Sequence, residues 1–258
     1  MGRLFVFDLD GTLLGPDHRL PRETVEFLTH ELVHRHRFTI ATGRSLASTR
    51  PFLQELGVGL PVILYNGAVI YDPVVGKVLW ESRLPLEMAR GALKVARSFP
   101  VHPEVYRDIH DPNLYVDHIT PAIVAFQRKE GLPAVEVGDL LSFLDFSPLK
   151  LLLIGPPKVL PDLETKLRGA LPQAEVVRSE RDYLEVLPPG VSKGEGLRRL
   201  CRLLGVSPEE VVAVGDQLND LGMLEVAGIG VAMAHAPEAL RRRAKLVIQE
   251  IAELAALL

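Results

Sequence analysis

The sequence predicts an α/β protein: a doubly wound parallel core with a second, mixed α+β domain inserted into its chain. Three observations carry this expectation. Short runs of continuous apolar residues alternate with amphipathic helical stretches at both ends of the chain, as strands buried on both faces of a parallel sheet require. In the middle, β-rich runs follow one another without intervening helices, which favours antiparallel pairing. The length of 258 residues suits a core domain carrying a smaller one.

Taken in order, residues 3–8 read as a short apolar strand, and 21–35 as a helix with Val25, Leu28, Leu32 and Val33 on one face and Pro21 near its start. "RFTIATGR" is a second strand ending at Thr42 and Gly43. A helix over about 45–56 precedes a third strand, "PVILYNGA", and "AVIYDPVVGKVLWE" forms a hairpin turning over Asp72–Gly76. The middle holds a helix over 85–98, two strands in "HPEVYRDIHDPNLYVD" and a weakly periodic helix near 120–129. A strand over 149–154, a helix over 160–170 and the strands "AEVVRS" and "DYLEVL" complete it. Pro188, Pro189 and Gly190 read as the hinge of return. A helix over 193–204, the strand in "EEVVAVGDQLND", a short helix at about 219–226, the strand "IGVAM" and a helix opened by Pro237 follow. The expected division is therefore a core of 1–81 plus 187–258 and an inserted domain of 82–186.

Composition narrows the classes of function. With 47% hydrophobic and 24% charged residues and a net charge of −4, the chain resembles an ordinary soluble domain, and no basic footprint invites nucleic acid. Asp8 breaks the first apolar run too early for a signal peptide, and no run approaches the ~18 apolar residues of a membrane span. A cytoplasmic location is the resulting expectation. The single cysteine, Cys201, shares a helical stripe with Leu197, Leu200 and Leu204, which reads as core packing. His30, His34 and His36 read as part of a solvated charged face.

The polar residues fall at strand ends. Asp8 and Asp10 close the first strand, Thr42 and Gly43 the second, Asn66 the third, and Asp216, Asn219 and Asp220 a late one, while Lys193 opens a helix. In open parallel sheets, groups beyond the carboxyl ends of the strands converge on one crevice. Carboxylates gathered there repel one another, so a divalent cation is their natural partner, and oxygen ligands without a Cys/His cluster favour Mg²⁺. Each residue alone has a plainer reading. "DG" is a common turn signal, Asn66 before Gly67 serves equally as a turn residue, Lys193 as a solvated lysine, and Arg44 as an exposed residue at a helix start.

"DLDGT" at 8–12, "ATGR" at 41–44, "YNGA" at 65–68, "GVSKG" at 190–194 and "GDQLND" at 215–220 resemble, in order and spacing, the successive motifs of the haloacid-dehalogenase-like hydrolase superfamily. The large insertion between the second and third motifs resembles its Cof-type branch. The resemblance covers nearly the whole chain and implies a Rossmann-like core with an inserted cap domain. It also implies that Asp8 by its carboxylate, Asp10 by its main-chain carbonyl and Asp216 hold Mg²⁺. Asp8 is then the nucleophile that forms an aspartyl-phosphate, and Asp10 protonates the leaving oxygen and later activates water. Thr42, Gly43, Lys193 and Asn219 bind the phosphate, with Thr42 and Lys193 assisting catalysis, and Asp220 anchors Lys193.

The activity so implied is a Mg²⁺-dependent phosphatase acting on small phosphorylated metabolites, sugar phosphates or cofactor-like phosphates, as a monomer or homodimer without nucleic-acid or membrane partners. Its rivals are a phosphomutase and a non-catalytic ligand-sensing module, with a dehalogenase more distant because Asp10 supplies a leaving-group acid that such a reaction does not need. A cap that closes over the site excludes water, and His102, Arg107, His110 and Tyr115 are its candidate selectors of substrate. Two departures stand out. His235 in "VAMAHAPEAL" occupies a position where several Cof-type relatives carry asparagine, and "KLVIQEIAELAALL" replaces their acidic-polar ending with an apolar tail.

Overall fold

The computed structural model describes residues 2–257. The elements of the first stretch are β1 (Leu4–Phe7), α1 (Arg22–Glu26), β2 (Arg37–Ile40), α2 (Leu46–Glu55), β3 (Val62–Leu64), β4 (Val69–Asp72) and β5 (Lys77–Glu81). The middle contributes α3 (Leu86–Ala96), β6 (His102–Tyr106), β7 (Leu114–Val116), α4 (Pro121–Glu130), β8 (Ala134–Glu136), α5 (Leu140–Phe143), β9 (Lys150–Ile154), α6 (Leu160–Ala170), β10 (Glu175–Glu180) and β11 (Tyr183–Leu187). The last stretch adds α7 (Lys193–Leu204), β12 (Val211–Gly215), α8 (Leu221–Val226), β13 (Ile229–Met233), α9 (Glu238–Arg241) and β14 (Leu246–Ile248). Two compact units result: residues up to Gly43 with Arg50–Trp80 and everything from Ser192 onward, and Arg44–Thr49 with Glu81–Val191.

The first unit is built on a parallel sheet in the order β14-β13-β12-β1-β2. Leu4, Phe5, Val6 and Phe7 are wholly buried, as are Val211, Val212, Ala213 and Val214 of the neighbouring strand. Both faces of these strands are covered, so alternation disappears and the runs read as continuously apolar. Chain order reverses at β1, which has β2 on one side and β12 on the other. This is the switch point where a crevice opens beyond the strand ends. Helix α7 is capped by Ser192, whose Oγ accepts from the Glu195 N–H at 3.1 Å, and ends at left-handed Gly205. Its stripe of Leu197, Leu200 and Cys201 is buried, and burial pushes the Cys201 thiol upward in pKa.

Several local expectations need correction. The third strand does not lie in the parallel sheet: β3, β4 and β5 form their own sheet, joined to the end of β2 by a single parallel bridge from Ala41 to Ile63. The helix from Arg22 widens into a turn of π type over Phe27–Glu31 before a last tight turn over Leu32–His34. The wider turn shifts the register of the apolar stripe, so Leu28 and Leu32 are buried while Val33 is 43% exposed. His36 is not on a solvated face, since its Nδ1 accepts from the Arg3 N–H at 2.9 Å and its ring packs edge-on against Phe5. The apolar tail supplies β14 as an edge strand on β13 and then helical turns over Ile251–Leu257.

The second unit carries a six-stranded sheet in the order β10-β11-β9-β6-β7-β8, antiparallel except for β7 and β8. On one face Val105, Leu151, Leu153, Val176, Leu184 and Val186 pack with α3, α5 and α6. Alternation puts Glu104, Tyr106, Lys150 and Glu185 on the other face, and all four are buried. The Lys150 ammonium meets Glu185 Oε2 at 2.7 Å and lies over the Tyr106 ring. Burial pushes the Glu104 carboxyl well above the usual range, against a smaller opposing pull from the Tyr106 hydroxyl and Lys150.

Truncating Leu197 to alanine should cost about 2–5 kcal/mol in urea unfolding. The adjacent Arg198→Ala, which removes only an exposed pair with Glu195, should change stability by no more than about 0.5 kcal/mol. Equal effects would overturn the assignment of the buried stripe of α7.

Candidate active site

The register of the central strands sets the site. Phe7 pairs with Val214 on one side and Ile40 on the other, and the Asp8 N–H donates to the Val214 carbonyl at 2.9 Å. Asp8 therefore leaves the sheet beside Gly215 and Ala41, with Asp216 and Thr42 one residue further along. Asp8, Asp216 and Asp220 are 5%, 2% and 0% exposed, and one carboxylate oxygen from each lies within 4.8 Å of the others.

Lys193, 1% exposed, reaches from the first turn of α7 into this group. Its Nζ donates to Asp8 Oδ1 at 2.5 Å and to Asp220 Oδ1 at 2.6 Å. The other oxygen of Asp220 accepts the N–H groups of Asp216 and Gln217, both at 2.9 Å. Asp220 is thus fully engaged as an anchor of the lysine and of the loop after β12. Asp216 is held by the Thr12 hydroxyl, which donates to Oδ1 at 3.0 Å, and by Gln217 Nε2, which donates to Oδ2 at 3.1 Å. Gly11 has φ +74°, and a Cβ there would stand 2.3 Å from Asp216 Oδ2; only glycine permits that turn at that approach.

Burial, then the neighbouring Asp220 and Asp216 charges, push the Asp8 carboxyl well above its usual range, and Lys193 offsets this only in part. Asp216 is raised as well, by burial first and Asp220 second. For Lys193 burial works against the charge, but Asp220 and Asp8 outweigh it and lift the ammonium above its ordinary value. Three carboxylates against one ammonium leave the cluster short of positive charge. Its donors are all oxygen, and Asp8 and Asp216 are the two not committed to anchoring. This donor set fits a hard divalent cation.

Asp10 lies at the rim, its side chain 23% exposed, with His18 Nδ1 3.8 Å from its Oδ1. Thr42 is buried between backbone partners: its N–H donates to the Ile63 carbonyl at 2.9 Å, and its carbonyl accepts the Asn66 N–H at 3.0 Å. Asn219 donates from Nδ2 to Asn66 Oδ1 at 2.9 Å. The turn carrying Asn66 is strained, with Tyr65 and Asn66 at φ 50° and 55°, a conformation costing roughly 1–2 kcal/mol per non-glycine residue.

Other residues fall elsewhere than expected. Arg44 is not an exposed helix start; it is 5% exposed and, within the second unit, pairs with Glu130 Oε2 at 3.4 Å, an oxygen that also accepts from Ser48 Oγ at 2.8 Å. Also in that unit, Arg107 stacks over Phe146 and Tyr115 donates to Asp111 Oδ2 at 2.8 Å. His102 lies at the opposite end of β6, paired with Ile154, so the four candidate selectors do not form one group. His235 stands 3.6 Å from Asp216 Oδ2. Sequence reasoning missed Thr12, His18 and Gln217. Thr12 and Gln217 were marked by their places in "DLDGT" and "GDQLND", whereas His18 carries no local signal.

Comparison with known proteins agrees with this architecture. The family pattern described as haloacid dehalogenase-like hydrolase matches residues 5–257. An HMP-PP phosphatase of Cronobacter sakazakii is 34% identical over 92% of this chain and 85% of its own. A pyridoxal phosphate phosphatase of Escherichia coli is 30% identical over 95% and 93%. The crystal structure of a haloacid dehalogenase-like hydrolase from Bacteroides thetaiotaomicron superposes with a TM-score of 0.86 at 27% identity, covering 100% of this chain and 99% of that one. The chain belongs to the haloacid dehalogenase-like hydrolase family, in a branch whose named relatives are phosphatases, and is a hydrolase of that kind. Among the described residues no helix is long and apolar enough to cross a membrane.

The raised Asp8 carboxyl gives a pH dependence of definite sign. A folded-state pKa above the unfolded one means that the folded chain binds more protons, so stability falls as pH rises from about 4 through the folded value. In chelator-treated protein, Asp8→Asn, neutral at every pH, should melt at a higher temperature than wild type at pH 7, with the gain shrinking toward pH 4. A gain independent of pH would contradict the assignment.

Proposed function

We propose that the chain is a Mg²⁺-dependent phosphatase of small phosphorylated metabolites that works through an aspartyl-phosphate on Asp8. The observation that carries this reading is the buried cluster in which Lys193 bridges Asp8 and Asp220 beside Asp216. A nucleophile, a cation and a divalent-ion donor set drawn from distant parts of the chain have little purpose other than to handle a polyanion. Asp8 and Asp216, with the Asp10 carbonyl, would hold Mg²⁺, which supplies charge neutralisation of the phosphoryl oxygens when bound.

The chain's own residues then divide the work. An Asp8 oxygen attacks phosphorus while the bond to the leaving alcohol breaks, and Asp10 gives that alcohol its proton. Water next attacks the aspartyl-phosphate, Asp10 takes its proton, and inorganic phosphate leaves with Asp8 restored. Asp10 suits this shuttle because it sits two residues from Asp8 at the partly exposed rim. Lys193 stays charged throughout, since Asp220 and Asp8 raise its pKa, and with Thr42, Gly43 and Asn219 it binds the phosphate. The relatives named for HMP-PP and pyridoxal phosphate support a cofactor-like phosphate as substrate, with sugar phosphates the second class to test.

Phosphate release from a metabolite panel should require Mg²⁺ and stop on chelation. Asp8→Ala should lower it by at least about 10³-fold, and Asp10→Asn should slow formation of the phosphorylated enzyme by about 10²–10⁴-fold. Turnover that survives Asp8→Ala, or an undiminished phosphorylation rate in Asp10→Asn, overturns the respective role.

A further inference from the structure

We propose that Asn66 is a substrate-positioning residue of this site: its carbonyl orients the Asn219 amide, and its own NH₂ donates to an oxygen of the bound phosphoryl group beside Gly43. The proposal rests on the phosphatase reading and adds a residue to it. Tyr65, Asn66 and Gly67 follow one another with φ of 50°, 55° and 99°. Asparagine tolerates the left-handed region and glycine favours it, but tyrosine does not. Such a run persists only where the surroundings over-determine it.

Those surroundings are the phosphate-handling motifs. The Asn66 N–H donates to the Thr42 carbonyl at 3.0 Å. Gly67 lies against the residue before Lys193, where a Cβ would come within 2.2 Å of the Ser192 carbonyl oxygen. The Asn66 side chain accepts from Asn219 at 2.9 Å, and a Cβ on Gly43 would stand 2.9 Å from its Nδ2. One residue thus touches the second motif and Asn219, while its neighbour touches the start of α7.

The hydrogen-bond count then singles out the free amide groups. Asn66 is 1% exposed, yet its Nδ2 has no partner among the described residues, and neither has Asn219 Oδ1. A buried donor left unsatisfied is costly, so native proteins pair nearly all of them. Exchanging O and N in both amides leaves the same tally of one unpartnered NH₂ in the pair. A turn-forming asparagine needs no such group. A phosphoryl oxygen, which only accepts, satisfies it with a charge-assisted bond.

Two variants separate this role from a structural one. Asn66→Gly keeps the left-handed backbone and removes the amide, whereas Asn66→Asp keeps shape and an acceptor for Asn219 but sets a carboxylate where the donor stood. Two readouts apply, with Mg²⁺ present: kcat and KM for p-nitrophenyl phosphate, and the rise in Tm produced by inorganic phosphate. Both variants should fold with wild-type circular dichroism, and KM and the apparent Kd for phosphate should rise about tenfold in Asn66→Gly and further in Asn66→Asp. A purely structural residue gives the reverse order, because aspartate is the closer isostere. Phosphate affinity within twofold of wild type in both variants, or a milder effect of Asp than of Gly, overturns the proposal. If wild type hydrolyses no ester, the phosphatase reading fails, and phosphate-induced Tm shifts still decide the role of Asn66.

Discussion

The site depends on one ammonium. Without Lys193, Asp8, Asp216 and Asp220 would form a buried cluster of carboxylates with no compensating charge from α7, an arrangement that ordinarily costs several kcal/mol per ion. With it, two of the three acquire a charge-assisted hydrogen bond of 2.5 or 2.6 Å. The lysine can be there because Ser192 caps α7 and fixes where its first turn begins, and because the buried stripe of Leu197, Leu200 and Cys201 fixes which way the helix faces. Core packing and active-site electrostatics are therefore one constraint: a helix rotated by one residue would carry its ammonium away from the carboxylates.

Asp220 spends its whole carboxylate on contacts within the chain. One oxygen is spent on Lys193 and the other on two backbone N–H groups of the loop that carries Asp216. The same carboxylate thus locks the ammonium on one side and the loop of Asp216 on the other. Asp216 is further held by Thr12, from the turn directly after Asp10. The loops after β1 and β12 are tied to each other before any ligand arrives, which is the preorganisation that phosphoryl transfer requires.

Much of this was legible in the sequence because the decisive signals are local. An apolar run ending in Asp8 and Asp10, another ending in "GDQLND", and a lysine opening a helix each occupy a few residues, and the parallel sheet that aligns their ends follows from the βα alternation. What was not legible depends on register or distance. Lys193 meets Asp8 across 185 positions, and no periodicity announces that pairing. The π-type turn before Leu32 exposes Val33 because one extra residue enters the turn, and a stripe counted at 3.6 residues cannot see it. Lys150, which opens an apolar strand, is buried against Glu185 from a strand that pairs with its own, and that partner lies 35 positions away. Arg44 reads as exposed for the same reason: its partner Glu130 lies far along the chain.

The cluster is also left deliberately unbalanced in charge. A core optimised for stability would replace such groups with apolar side chains of similar volume, often at no loss, and would not hold the Asp8 and Asp216 carboxyls above their ordinary values. The imbalance has a direction, since what would relieve it is positive charge supplied from outside the chain. A divalent cation held as proposed would do this for Asp8 and Asp216 while leaving Asp220 to its anchoring bonds. The strain of the turn at Tyr65 and Asn66 follows the same logic in the backbone. Both are unfavourable in isolation; the cluster is held at the ends of fully buried parallel strands, and the turn by its contacts with Thr42, Asn219 and Ser192. The close packing of that sheet fixes the strand ends that carry Asp8 and Asp216, so the carboxylates are held together instead of relaxing into a locally more stable arrangement.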